Sequence, residues 1–68
     1  MGRRTRQLLS TDEAARLLRR PVTTLRWWRH VGQGPESFRL GRRVVYDRDT
    51  LLEWVERERE RTTSGDVA

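Results

Sequence analysis

The chain has no cysteine among its 68 residues, so neither a disulfide framework nor a thiolate metal site is open to it. It has a single histidine, and a zinc site would have to be built almost wholly from carboxylates. No Ser, Cys or carboxylate stands at a recognisable catalytic spacing from that histidine, His30. The sequence therefore predicts no enzyme, no cofactor and no metal. Long apolar runs are also missing. None approaches the ~20 residues of a membrane span, and the N-terminal stretch lacks the apolar core of a signal peptide. No membrane partner is expected, and the expected location is cytoplasmic. The length allows one domain, which at this size buries only ~60% of its unfolded surface.

Lysine is absent as well: all 15 basic residues are arginine, and the net charge is +5. The charge is uneven. Residues 1–48 carry 12 arginines against 4 carboxylates, a surplus of +8, whereas residues 49–68 carry 3 against 6, a deficit of −3. A basic body with an acidic-leaning end is the footprint of a polyanion binder. It is equally the solvated surface of many small proteins. Arginine, with its planar fork, is the better residue for phosphates and guanine edges.

Residues 1–7 lack apolar periodicity and read as a flexible basic arm. Leu8 and Leu9 form an apolar anchor, as in a very short strand. Ser10 with Glu13 three residues later is a capping box, which starts a helix running to about Arg19. Its apolar face is Ala14, Ala15 and Leu18. Pro21 ends that helix before it and opens the next, which runs to about Val31 and stops at Gly32. So tight a connection forces a steep crossing, as in a helix-turn-helix. After a Gly32–Pro35 loop, Phe38-Arg39-Leu40 and Arg43-Val44-Val45-Tyr46 flank Gly41-Arg42 as a hairpin, with apolar and arginine positions alternating before the turn like a half-buried strand. Asp47 or Asp49 caps a third helix with a Leu51, Leu52, Trp54, Val55 stripe. Residues 56–61 extend it as a charged, solvated segment in which Glu53 and Arg57 can pair. The domain is expected over 8–61 and a disordered tail over 62–68.

At ~100° per residue, Leu25 and Trp28 share the core side of the second helix, while Thr23, Trp27 and His30 point the opposite way. Thr24 and Arg26 flank that outward face. Its hydroxyls, guanidinium, indole and imidazole suit phosphates, base edges and thymine methyls. Trp27 and Trp28 are adjacent, so both cannot enter one core. Trp27 either packs against a neighbouring segment, lies on nucleic acid, or serves a protein partner. Arg29 falls near the core side and is expected at the rim, paired with a carboxylate such as Asp12. At the hairpin tip, Arg42 and Arg43, with Arg39 nearby, can reach phosphates or a narrow minor groove. A plain solubilising turn would look the same.

In order and spacing, these pieces resemble the excisionase family of small winged-helix proteins within the MerR-like superfamily. The matching stretches are Leu9–Ala15, Pro21–Leu25, Trp28-Arg29, Gly32–Pro35, Leu40–Tyr46 and Asp49–Trp54, about two thirds of the chain. Where the family usually has Leu-Gly-Val between the helices, this chain has Leu18-Arg19-Arg20, which puts two more positive charges at the turn. The resemblance implies a mainly α winged helix-turn-helix, three helices plus a small β-hairpin wing. It implies double-stranded DNA as partner, with the second helix in the major groove through Thr23, Thr24, Arg26, Trp27 and His30. The wing would enter the adjacent minor groove through Arg39, Arg42 and Arg43, with Arg19 and Arg20 beside the DNA. It also implies DNA bending, cooperative self-association on DNA, and a phage-type integrase directed toward excision. A small transcriptional regulator on the same fold and a protein-interaction adaptor are the alternatives. No a/d heptad follows Val55, so no coiled coil is expected.

Overall fold

Ser10 stands where extended backbone becomes helix, and its side chain makes the transition. In the computed structural model, which describes residues 7–65, strand β1 (Leu8–Ser10) leads directly into helix α1 (Thr11–Leu18). Ser10 Oγ accepts from the Glu13 N–H at 3.1 Å, and Glu13 Oε1 accepts from the Ser10 N–H at 2.8 Å. The capping box is therefore complete in both directions.

α1 ends at Arg19, whose φ is 57°. The Arg19 N–H donates to the Arg16 carbonyl at 3.2 Å, and the Arg20 N–H to the Ala15 carbonyl at 3.0 Å. These are the two bonds of a Schellman motif, in which glycine is the usual left-handed residue. Here arginine takes the left-handed conformation, at ~1–2 kcal/mol. Helix α2 (Val22–Val31) starts after Pro21. It ends in the same motif with a glycine in place, Gly32 at φ 75°. There the Gly32 and Gln33 N–H groups donate to the Arg29 and Trp28 carbonyls at 3.4 and 2.7 Å.

Strands β2 (Phe38–Leu40) and β3 (Arg43–Asp47) form the hairpin around Gly41-Arg42. Gly41 has φ 66°, the positive value that the first central residue of a two-residue type II′ hairpin needs. The sequence predicts this hairpin and a very short strand at Leu8 and Leu9; the fold places that strand, β1, on the other edge of β3, pairing Leu9 with Tyr46 antiparallel. The sheet order is β1-β3-β2. An Arg48 N–H to Gln7 carbonyl bond of 2.9 Å prolongs the β1 edge.

Of the two candidate caps for helix α3 (Arg48–Gly65), Asp47 is the one used. Its Oδ2 accepts from the Thr50 N–H at 3.2 Å and the Thr50 hydroxyl at 2.8 Å. The helix continues through Gly65, past the expected end at Arg61, so residues 62–65 of the expected tail are helical. Residues 66–68 of that tail and residues 1–6 of the expected arm lie outside the described residues. The expected Glu53–Arg57 pair does not form. Arg59 pairs with Glu56 at 3.4 Å and Arg61 with Glu58 at 2.6 Å, both one residue closer in register. Such exposed pairs differ by tenths of a kcal/mol.

The core is Leu9, Ala14, Ala15, Leu25, Tyr46 and Leu51, with Leu18, Val22, Trp28 and Val44 packed against it. Every element except β2 thus contributes between one and three residues, as amphipathic patterning requires. Trp54 meets Trp28 with ring centroids 5.5 Å apart and planes tilted 56°, both rings half-buried. Gly34 makes room for Trp28: a Cβ there would lie 2.8 Å from the Trp28 Cβ. Strand alternation puts Val44, Tyr46 and Leu9 on the covered face of the sheet. Phe38 and Leu40 therefore fall on the other face, 46% and 54% exposed. The expected half-burial of β2 is not realised, because the helices cover only the face that Tyr46 occupies.

Candidate nucleic-acid interface

The outward face of α2 is built by exclusion. Leu25 is fully buried and fixes the helix rotation. Thr23, Arg26, Trp27 and His30 are then exposed, and Thr24, nearer the core side, is half-buried. Trp27 is 59% exposed, and its ring neighbour is His30, with centroids 6.1 Å apart and planes tilted 34°. The two rings form a shelf on the helix surface. No carboxylate occurs in α2. From Ala14 to Tyr46 there are eight arginines and one acid, Glu36.

The other arginines singled out by the sequence are all exposed: Arg19 and Arg20 at the interhelical turn, Arg39 on β2, and Arg42 and Arg43 at the tip. By register Arg39 lies on the Val44 and Tyr46 face, whereas Arg43, opposite Leu40, lies on the other. Thr11, Arg26, Arg29, Val44 and Tyr46 line a cleft of ≈ 370 Å³. This cleft is the place where the second helix and the sheet of the wing meet.

Arg29 corrects its expectation. It pairs with neither Asp12 nor any other carboxylate among the described residues; its Nε donates to Ser37 Oγ at 3.1 Å. Burial raises the Tyr46 phenol above its ordinary pKa, while hydrogen bonding with Ser37 and the nearby Arg29 charge pull it back. Sequence reasoning did not single out Ser37 or Tyr46 for the site. The only signal was the wheel position of Arg29, because a serine in a loop six residues past α2 reaches the helix only through the tertiary fold.

Among the described residues no group of histidine and carboxylates could hold a metal ion, and no helix is long and apolar enough to cross a membrane. Two helices joined by a tight turn, followed by an arginine-tipped hairpin, define a winged helix-turn-helix of the DNA-binding class. A family model for the helix-turn-helix domain matches residues 8–59, about three quarters of the chain, and the protein belongs to that family. No curated protein and no solved structure matches the chain.

Proposed function

We propose that this protein is a sequence-specific architectural DNA-binding protein of the excisionase kind. α2 enters the major groove, the Arg42–Arg43 tip enters the neighbouring minor groove, and the bound duplex bends. Several protomers bind side by side, and the assembly directs a phage-type integrase toward excision. The carrying observation is the α2 face. A helix that exposes a tryptophan at 59%, beside a histidine and an arginine and with no carboxylate, displays apolar and cationic groups together. That combination suits stacked bases lined by phosphates. Arg39, Arg42 and Arg43 supply the second region of positive charge.

The test is binding to duplexes selected from a random-sequence pool, measured against salt. DNA binding predicts affinity that falls steeply with salt, since each neutralised phosphate releases counterions. Trp27→Ala or Thr24→Ala should cost ~1–3 kcal/mol on the selected site and little on random DNA. Arg42→Ala should weaken both alike and reduce the salt slope by about one. Salt-insensitive association with a protein would instead establish an adaptor. Excision by a neighbouring integrase that depends on this protein separates an excisionase from a transcriptional regulator on the same fold.

A further inference from the structure

The cleft between α2 and the sheet holds two arginines, Arg26 and Arg29, and no carboxylate. Both side chains are exposed, so the cleft presents two guanidinium groups to solvent and to any anion that enters it. Arg29 is also held in one orientation. Its Nε is spent on Ser37 Oγ, and Ser37 in turn lies close enough to the buried Tyr46 phenol to pull its pKa down. A guanidinium has five N–H donors. With Nε tied back, the four on the two Nη atoms make no hydrogen bond among the described residues. A fork fixed at its base and open at its prongs fits two oxygens of a tetrahedral oxyanion. Thr11 lines the same cleft.

We infer that this cleft holds one backbone phosphate of the bound duplex, with Arg29 as its principal ligand and Ser37 and Tyr46 as the residues that aim it. This rests on the DNA-binding reading above and adds to it a sequence-independent contact between the groove-reading helix and the wing. The phosphate strand passing between the two grooves would be gripped there, fixing the register of both readers. Arg29 is then a ligand of the DNA rather than a rim residue of the core.

The experiment uses the whole chain and a duplex selected from random sequence. Arg29→Ala should weaken binding roughly tenfold or more, as loss of a charge-assisted hydrogen bond does. It should do so equally on selected and random duplexes and lower the salt slope by about 0.9. Arg29→Lys and Ser37→Ala keep the charge, so they should keep the slope while losing affinity. Tyr46→Phe should resemble Ser37→Ala, provided its melting curve shows a folded domain. Neutral methylphosphonates placed singly along the duplex should identify one phosphate whose neutralisation weakens the wild type and leaves Arg29→Ala unaffected. Wild-type binding with an unchanged Arg29→Ala affinity and slope overturns the clamp and leaves the DNA-binding reading standing. A wild type that binds no duplex in a salt-dependent way overturns that reading itself. If inorganic phosphate alone shifts the Arg29 Nε resonance at millimolar concentration while no methylphosphonate position matters, the cleft takes a free anion and the backbone assignment fails.

Discussion

Replacing Arg19 with glycine should leave the domain more stable than replacing it with alanine, although both remove a side chain and a favourable charge. Arg19 is the one non-glycine residue with positive φ among those described, and its backbone closes α1 through both bonds of the Schellman motif. An L-residue in this conformation carries ~1–2 kcal/mol of steric strain that glycine lacks. Against this, glycine gives the unfolded chain more freedom, worth ~0.4–1 kcal/mol. The lost cation at the helix C-terminus costs a further ~0.3–1 kcal/mol at most. The clean comparison is therefore Arg19→Gly with Arg19→Ala, both uncharged and differing only in the Cβ. Glycine should be ahead by about 1 kcal/mol, which for a domain of this size is ~4–8 °C in melting temperature. Thermal unfolding followed by far-ultraviolet circular dichroism gives both numbers. If the glycine variant melts no higher than the alanine variant, residue 19 is not held left-handed and the account of the interhelical turn is wrong. Because both variants lack the arginine, any loss of DNA affinity they share reports the charge at the turn separately from its geometry.

Three further outcomes follow from the packing and the charges. Leu25→Ala empties the fully buried centre of the core and should cost ~2–5 kcal/mol, enough to unfold much of a small domain at 25 °C; a sharp native melt would show that the α2 rotation is wrong. Gly34→Ala meets both a φ of 81° and the Trp28 side chain, so it should destabilise by more than ~1–2 kcal/mol, with a change in tryptophan fluorescence from the Trp28–Trp54 pair; unchanged fluorescence and melting would contradict that packing. Bonding to Arg61 holds the Glu58 carboxyl below its ordinary pKa. This contribution is full above the unfolded carboxyl value and is lost as pH falls through the lower folded value. Amide protection factors at the end of α3, taken relative to the intrinsic exchange rate at each pH, should therefore fall on acidification in the wild type and much less in Glu58→Gln; equal responses would show that the pair does not hold the helix end.

How readily each feature could be read from the sequence follows the distance over which it is decided. Ser10 and Glu13 announce the start of α1 because a capping box is closed within one turn. The Gly41 turn and the stop at Gly32 are equally local. The winged helix-turn-helix as a class follows from these punctuation marks and from the apolar stripes between them. The ion pairs of α3 were harder, because i,i+3 and i,i+4 partners on a solvated helix differ too little in energy for sequence to choose between them. The candidate DNA-contacting residues were readable as types on an outward helix face, and Leu25 was readable as the residue that sets that face.

Taken alone, the sequence determined the helices, their boundaries near Pro21, the hairpin, and a positive surplus concentrated before α3, since all of these depend on near neighbours or on composition. Only the tertiary structure decided that β1 completes the sheet, that Phe38 and Leu40 lie uncovered, and that Arg29 turns to Ser37 instead of Asp12. Each of those depends on which surfaces remain free after the core has closed. That is a property of all the elements packed together, and no single stretch of the chain carries it.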